Sequence, residues 1–170
     1  DSLGTTTLTL ENGMRVVVKP TDFSDDEVRV VATSPGGLAM VPDSLYATAQ
    51  FANAVVSRSG VGAFTQTALK KKLSGKNVRV SPYIGSDEEG LQGRASPDDL
   101  ETLFQLMHLY VTEPRGDSVS LATFQRQARA YLQNRSKQPA AVFQDSLRAA
   151  LYGDHPRRQA PEMEDVNRLQ

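Results

Sequence analysis

Residues 6–18 read Thr6-Thr7-Leu8-Thr9-Leu10-Glu11-Asn12-Gly13-Met14-Arg15-Val16-Val17-Val18. Residues 6–10 alternate polar and apolar, residues 14–19 are Val-rich, and Asn12-Gly13 lies between them. Asn-Gly between two such runs is the strongest short-range hairpin signal, because both turn positions need positive φ. The chain therefore opens on an antiparallel pair. Pro20 ends the second strand, and residues 21–27 form an acidic loop. Residues 28–33 are a further β-branched run, closed by the breaker Ser34-Pro35-Gly36-Gly37.

Working outward, the period changes. After Pro42-Asp43-Ser44, Leu45, Ala49, Ala52 and Val56 fall on one helical face, and Gly60 and Gly62 end that helix. Thr65 is set to cap a short helix over 66–73, closed by Gly75. Residues 77–84 and 91–95 read as strands joined by Ser86-Asp87-Glu88-Glu89-Gly90. Ser96-Pro97-Asp98-Asp99 opens the next helix, with Ser as N-cap, Pro at the first position and acids in the positive first turn. Its apolar stripe is Leu100, Leu103, Phe104, Met107 and Val111, and Pro114-Arg115-Gly116 breaks it. Residues 119–134 and 140–152 are helical, and residues 165–169 begin another helix. The order β-β-β-α-α-β-β-α-α-α implies an α+β fold, an antiparallel sheet with helices packed on one face.

Composition narrows function. The chain has 170 residues, 19 Lys and Arg against 20 Asp and Glu, two His and no Cys. The length suits one domain. Near-neutral charge argues against nucleic acid as the main partner, and no stretch is apolar and long enough to span a membrane. Without Cys, and with two His, the common all-Cys, Cys/His and three-His zinc sites cannot form within the chain.

The remaining candidates have ordinary explanations. His108 reads as a boundary residue on its helix. His155, in Asp154-His155-Pro156, reads as a helix C-terminal cation or a loop hydrogen-bonding group, with a shared Asp154–His155 metal or catalytic role as the rival. Asp87-Glu88-Glu89 reads as a solvated hairpin tip, and Lys70-Lys71-Lys72 as a solvated helix face. Gly36-Gly37 and Gly60-Val61-Gly62 fit neither a dinucleotide fingerprint nor a P-loop.

Several pieces together resemble the M16 (pitrilysin/insulinase-like) zinc metallopeptidases. Residues 8–18 resemble that family's first hairpin. Ser34-Pro35-Gly36-Gly37-Leu38 is similar to the approach to its metal-binding helix. Val80-Ser81-Pro82-Tyr83-Ile84 with Gly90-Leu91-Gln92-Gly93, and Leu151-Tyr152-Gly153-Asp154-His155-Pro156, resemble later strands and the loop after the last long helix. The resemblance implies a LuxS/MPP-like domain over residues 1–170, of the kind that begins the C-terminal half of large bacterial members. It also implies truncation before the last strand, leaving an unpaired sheet edge open to self-association.

Active members carry His-x-x-Glu-His on the first helix and a distal Glu about 75 residues on. A His pair at i and i+4 clamps zinc, and the Glu between them activates water. Here the matching helix has Ala47, Ala49, Ala52, Asn53 and Ala54, and the distal position falls near Ala130 or Tyr131. The resemblance thus implies no catalytic, metal or cofactor residue in this segment, with zinc held by another domain of the parent protein. It implies a non-catalytic domain forming part of a peptide-holding chamber, with other M16 domains and substrate peptide as partners and a periplasmic or cell-envelope location. The alternative is a domain of a fully inactive M16-fold scaffold or assembly protein.

Overall fold

The computed structural model describes residues 3–153, 155 and 157–169. Strands β1 (Thr6–Thr9) and β2 (Arg15–Val18) pair antiparallel, with Thr6 opposite Val18 and Thr9 opposite Arg15. Asn12 and Gly13 turn the chain between them, and Asn12 Oδ1 accepts a hydrogen bond from Met14 N at 3.0 Å. This ribbon is a sheet of its own. The single antiparallel sheet expected from the sequence is thus divided: hairpin pairing is local, whereas joining a second sheet needs contacts that the pattern of one strand does not encode.

The second sheet has the order β3-β5-β4, built from β3 (Val28–Pro35), β4 (Val78–Ile84) and β5 (Glu88–Ala95). Two boundaries differ from the sequence reading. Strand β3 continues through Ser34 and Pro35, since a proline is tolerated at the end of an edge strand. Strand β5 begins at Glu88, so Glu88 and Glu89 pair with β3 and β4 rather than forming the turn. Asp87 stays at the tip, and all three acids are exposed.

Register assigns the faces. Val28, Ala95 and Val78 share one row, Val30, Gly93 and Val80 the next, and Ala32, Leu91 and Pro82 the third. This is the face that meets the helices. Helix α1 (Asp43–Ser59) packs on β4, and α3 (Leu100–Thr112) packs on β4 and β5. The core is Val61, Leu69, Val80, Leu91, Ala95, Leu103, Leu106 and Met107. Gly93 lets α3 approach closely, because a Cβ there would lie 2.6 Å from Leu103 Cδ1. The stripe expected on α3 needs correction: Leu103, Leu106 and Met107 are buried, while Phe104 is 53% and Val111 71% exposed. The helix is apolar over more than one side, and the sheet selects the side centred on Leu103 and Leu106.

Helix α2 (Gln66–Lys72) starts at Thr65, whose Oγ1 accepts from Ala68 N at 3.3 Å. The cap expected of Ser96 is replaced. Pro97–Asp99 forms a 3₁₀ turn, and Ser96 donates its hydroxyl to Asp99 Oδ2 at 3.0 Å. Asp99 also accepts from Asn77 N at 2.7 Å and from Lys76 Nζ at 3.0 Å, tying the start of β4 to the start of α3. Helices α4 (Ser118–Arg135), α5 (Pro139–Tyr152) and α6 (Met163–Asn167) complete the described chain. Gly153, at φ 57°, stops α5.

Candidate functional site: the first helix and its surroundings

Helix α1 is held at both ends. At its start, Gly36 N donates to Asp87 O at 3.1 Å, Leu38 N to Gly85 O at 2.9 Å and Ala39 N to Ser86 O at 2.7 Å. The Pro-Gly-Gly-Leu segment is therefore strapped across the β4–β5 turn. Gly37 sits at φ 70°, where a Cβ would lie 2.7 Å from Gly85 O and 2.8 Å from Glu88 O. That approach needs glycine.

Arg157 locks the same end. Its Nε donates to Asp43 Oδ1 at 2.6 Å, NH1 to Leu38 O at 2.9 Å, and NH2 to Val41 O at 2.7 Å. Its guanidinium lies 5.1 Å from the Tyr46 ring centroid, and Tyr46 OH donates to Arg157 O at 3.3 Å. At the far end, Ser59 is fully buried, and its Oγ accepts from Asp117 N at 3.2 Å. Asp117 caps α4, accepting from Ser120 Oγ at 2.6 Å, Ser120 N at 3.1 Å and Val119 N at 2.9 Å. The Ser120 hydroxyl and amide hold its carboxyl below the usual carboxylate range.

Between these anchors, residues 47–54 read Ala-Thr-Ala-Gln-Phe-Ala-Asn-Ala. Helix α4 packs alongside, with the Phe51 and Phe124 rings 5.4 Å apart and Arg58 placed 5.5 Å from the Phe124 centroid. Ser57 donates to Asn53 Oδ1 at 3.4 Å. Ala130 and Tyr131 are exposed on α4. Zinc needs imidazole, thiolate or carboxylate donors, and this stretch of α1 supplies none. The residues present do not fit the metal. Among the described residues, no group of three His, Asp or Glu comes together.

A cleft of about 210 Å³ opens beside the start of α1, lined by Asp43, Tyr46, Gln50, Asp165 and Arg168 among others. Its carboxylates are already engaged: Asp43 by Arg157, and Asp165 by Glu162 N at 2.8 Å. The cleft thus holds no free acid–base pair.

The sequence candidates are dispersed. His108 is exposed on α3. His155 Nδ1 accepts from Arg157 N at 3.2 Å, the loop hydrogen bond that is one of the two ordinary roles expected of it. Asp154 and Pro156 lie outside the described residues. Lys70, Lys71 and Lys72 are exposed on α2. Glu88 accepts from Thr33 Oγ1 at 2.9 Å and Tyr83 OH at 3.4 Å. Sequence reasoning missed Arg157 and the Phe51–Phe124 contact, because each joins segments far apart in the chain.

In architecture the chain is similar to M16 peptidase domains. The crystal structure of the periplasmic protease PqqL from Escherichia coli superposes with a TM-score of 0.81 over 96% of this chain and 18% of its own, at 24% identity. An inactive M16 peptidase domain from Pseudomonas fluorescens gives a TM-score of 0.74 over 99% of this chain and 41% of its own, at 20% identity. In sequence, the chain is 28% identical over 122 residues to a probable zinc protease PqqL from Haemophilus influenzae, covering 72% of this chain and 13% of that protein. No family model matches the chain. The chain spans 13–16% of the length of the curated relatives it matches. Among the described residues, no helix is long and apolar enough to cross a membrane.

Proposed function

We propose that residues 1–170 are a single non-catalytic M16-type domain of a larger zinc metalloendopeptidase. Its role is to form part of the chamber that holds substrate peptide and to support the catalytic half, which carries the zinc. The observation that carries this reading is the donor-free middle of α1, packed by Phe51 against Phe124 where active members place their zinc ligands. The segment itself has no catalytic, metal or cofactor residue, and the parent protein works in the periplasm or cell envelope, as its Escherichia coli relative does.

Surface area supports other domains as partners. A monomeric protein of 18.5 kDa exposes about 8,200 Å², whereas this chain exposes 12,011 Å². The excess, about 3,800 Å² on this one chain, exceeds the roughly 1,000–2,500 Å² that each partner of a typical obligate interface buries, enough for more than one such contact. Much of it is apolar: Val142, Phe143, Leu147 and Leu151 are exposed along α5, which buries none of its residues. In this reading, neighbouring M16 domains cover that stripe, and the outer edges of β3 and β4 accept a strand from peptide or from a second copy.

Elemental analysis of the purified chain tests the assignment. The expected result is no bound zinc after incubation with the metal and desalting, and no hydrolysis of an unfolded casein substrate. Stoichiometric zinc together with EDTA-sensitive hydrolysis would overturn it.

A further inference from the structure

We propose that the open face of the three-stranded sheet docks an acidic polypeptide segment, held by the row Arg29–Arg94–Arg79. This does not rest on the M16 reading, because it follows from strand register. Arg94 of β5 lies directly opposite Arg29 of β3 on one side and Arg79 of β4 on the other. Alternation puts all three on the face away from α1 and α3, with neighbouring strands about 4.8 Å apart. All three are exposed. Val31, in the next row, is 65% exposed, so the face is open.

Like charges directly opposite one another destabilise a sheet. Among the described residues, one carboxylate offsets this row. Glu27 Oε2 accepts from Arg29 Nε at 2.7 Å, and its Oε1 lies 3.9 Å from Arg94 NH1. Arg79 forms no ion pair there. The row therefore has unmet demand for anions, and the guanidinium fork matches a carboxylate with two parallel hydrogen bonds.

The rest of the face selects a polypeptide over a nucleic acid. Tyr83 is the one aromatic side chain on this face among the described residues, whereas single-stranded nucleic-acid platforms stack successive bases on several aromatic rings. Between the arginine row and Tyr83 lie Val31, Gln92 and Ser81, an apolar and an amide surface suited to a peptide. A helix with carboxylates at i and i+4 spaces them about 5–6 Å apart, close to the strand spacing.

The test is fluorescence anisotropy on the full chain. The probe is a fluorescein-labelled alanine-based helical peptide with Glu at i, i+4 and i+8, compared with its Gln counterpart. The Glu peptide is expected to bind, to weaken with salt, and to lose about fivefold in affinity in R79Q/R94Q. The K70Q/K71Q/K72Q variant on α2 is expected to keep full affinity. R94Q is also expected to raise the urea midpoint by relieving the row, which separates lost binding from lost folding. The proposal is overturned if the Glu peptide does not bind or the Gln peptide binds equally. It is also overturned if R79Q/R94Q binds as well as the parent, if the lysine variant loses as much, if a single-stranded oligonucleotide binds the row more tightly than the peptide, or if R94Q lowers the midpoint.

Discussion

The contact between Gly93 and Leu103 can be tested as a pair. Leu103 is fully buried, and a Cβ added at Gly93 would lie 2.6 Å from its Cδ1. Carbon atoms in favourable contact stand about 3.5–4.0 Å apart, so Gly93→Ala must push Leu103 by roughly 1 Å inside a closed core. The remaining neighbours, Arg79 O and Val80 Cγ2 at 3.5 Å, are in ordinary contact and add no strain. Overpacking of this kind costs about 1–3 kcal/mol. Leu103→Ala removes the obstructing methyl but leaves a cavity, at about 3–5 kcal/mol, a large share of a typical stability of about 5–15 kcal/mol. In the double variant the new methyl at 93 occupies space that Leu103 vacated. Its destabilisation is expected to fall short of the sum of the two singles by about 1–3 kcal/mol. Urea unfolding followed by far-UV circular dichroism measures all four proteins, and equal m-values confirm that the transitions are comparable. Additivity within about 0.5 kcal/mol, or a Gly93→Ala variant as stable as the parent, would refute the idea that α3 is seated on the sheet through Gly93.

Two further predictions concern the anchors. Gly37→Ala is expected to destabilise the chain by about 2 kcal/mol or more, since it adds backbone clashes to a positive φ. Gly75→Ala, at φ 82° with open space around it, is expected to cost about 1 kcal/mol, and equal losses in thermal melts would show that the strap does not matter. Asp99, Asp117 and Asp145 all titrate below the ordinary 3.8, held down chiefly by Lys76, by Ser120, and by the two-pronged Arg135 contact respectively. With folded values below unfolded ones, their stabilisation is fully present above about pH 4. It is lost as pH falls through the depressed values. D99N/D117N/D145N is expected to flatten the acid limb of stability against pH, and an unchanged limb would count against these groups as its source.

What could be read from the sequence was what neighbours along the chain decide. The Asn12-Gly13 hairpin, the Thr65 cap, the helix ends at Gly60 and Gly153 and the order of elements each depend on a few adjacent residues. What could not be read depends on partners far away. Phe104 and Val111 match the helical period as well as Leu106 does, and only the sheet beneath α3 separates them. The arginine row exists only once β5 is known to lie between β3 and β4. Arg157 reaches residues 38–43 across more than a hundred positions, and no local pattern announces it.

The same separation explains how the fold stands without zinc donors. The contacts that fix α1 are at its ends: the Gly37 strap and Arg157 at the start, Ser59 and Asp117 at the finish. The α3 side is fixed by Gly93, Leu103 and Asp99. None of these lies among residues 47–54. Here Phe51 against Phe124 joins α1 to α4 by apolar contact. Ala49, Phe51, Ala52 and Ala54 bring no charged donor into that contact, so none has to be buried without a partner. On the proposed reading, stability does not depend on zinc, so chelation is expected to leave the thermal midpoint where it was.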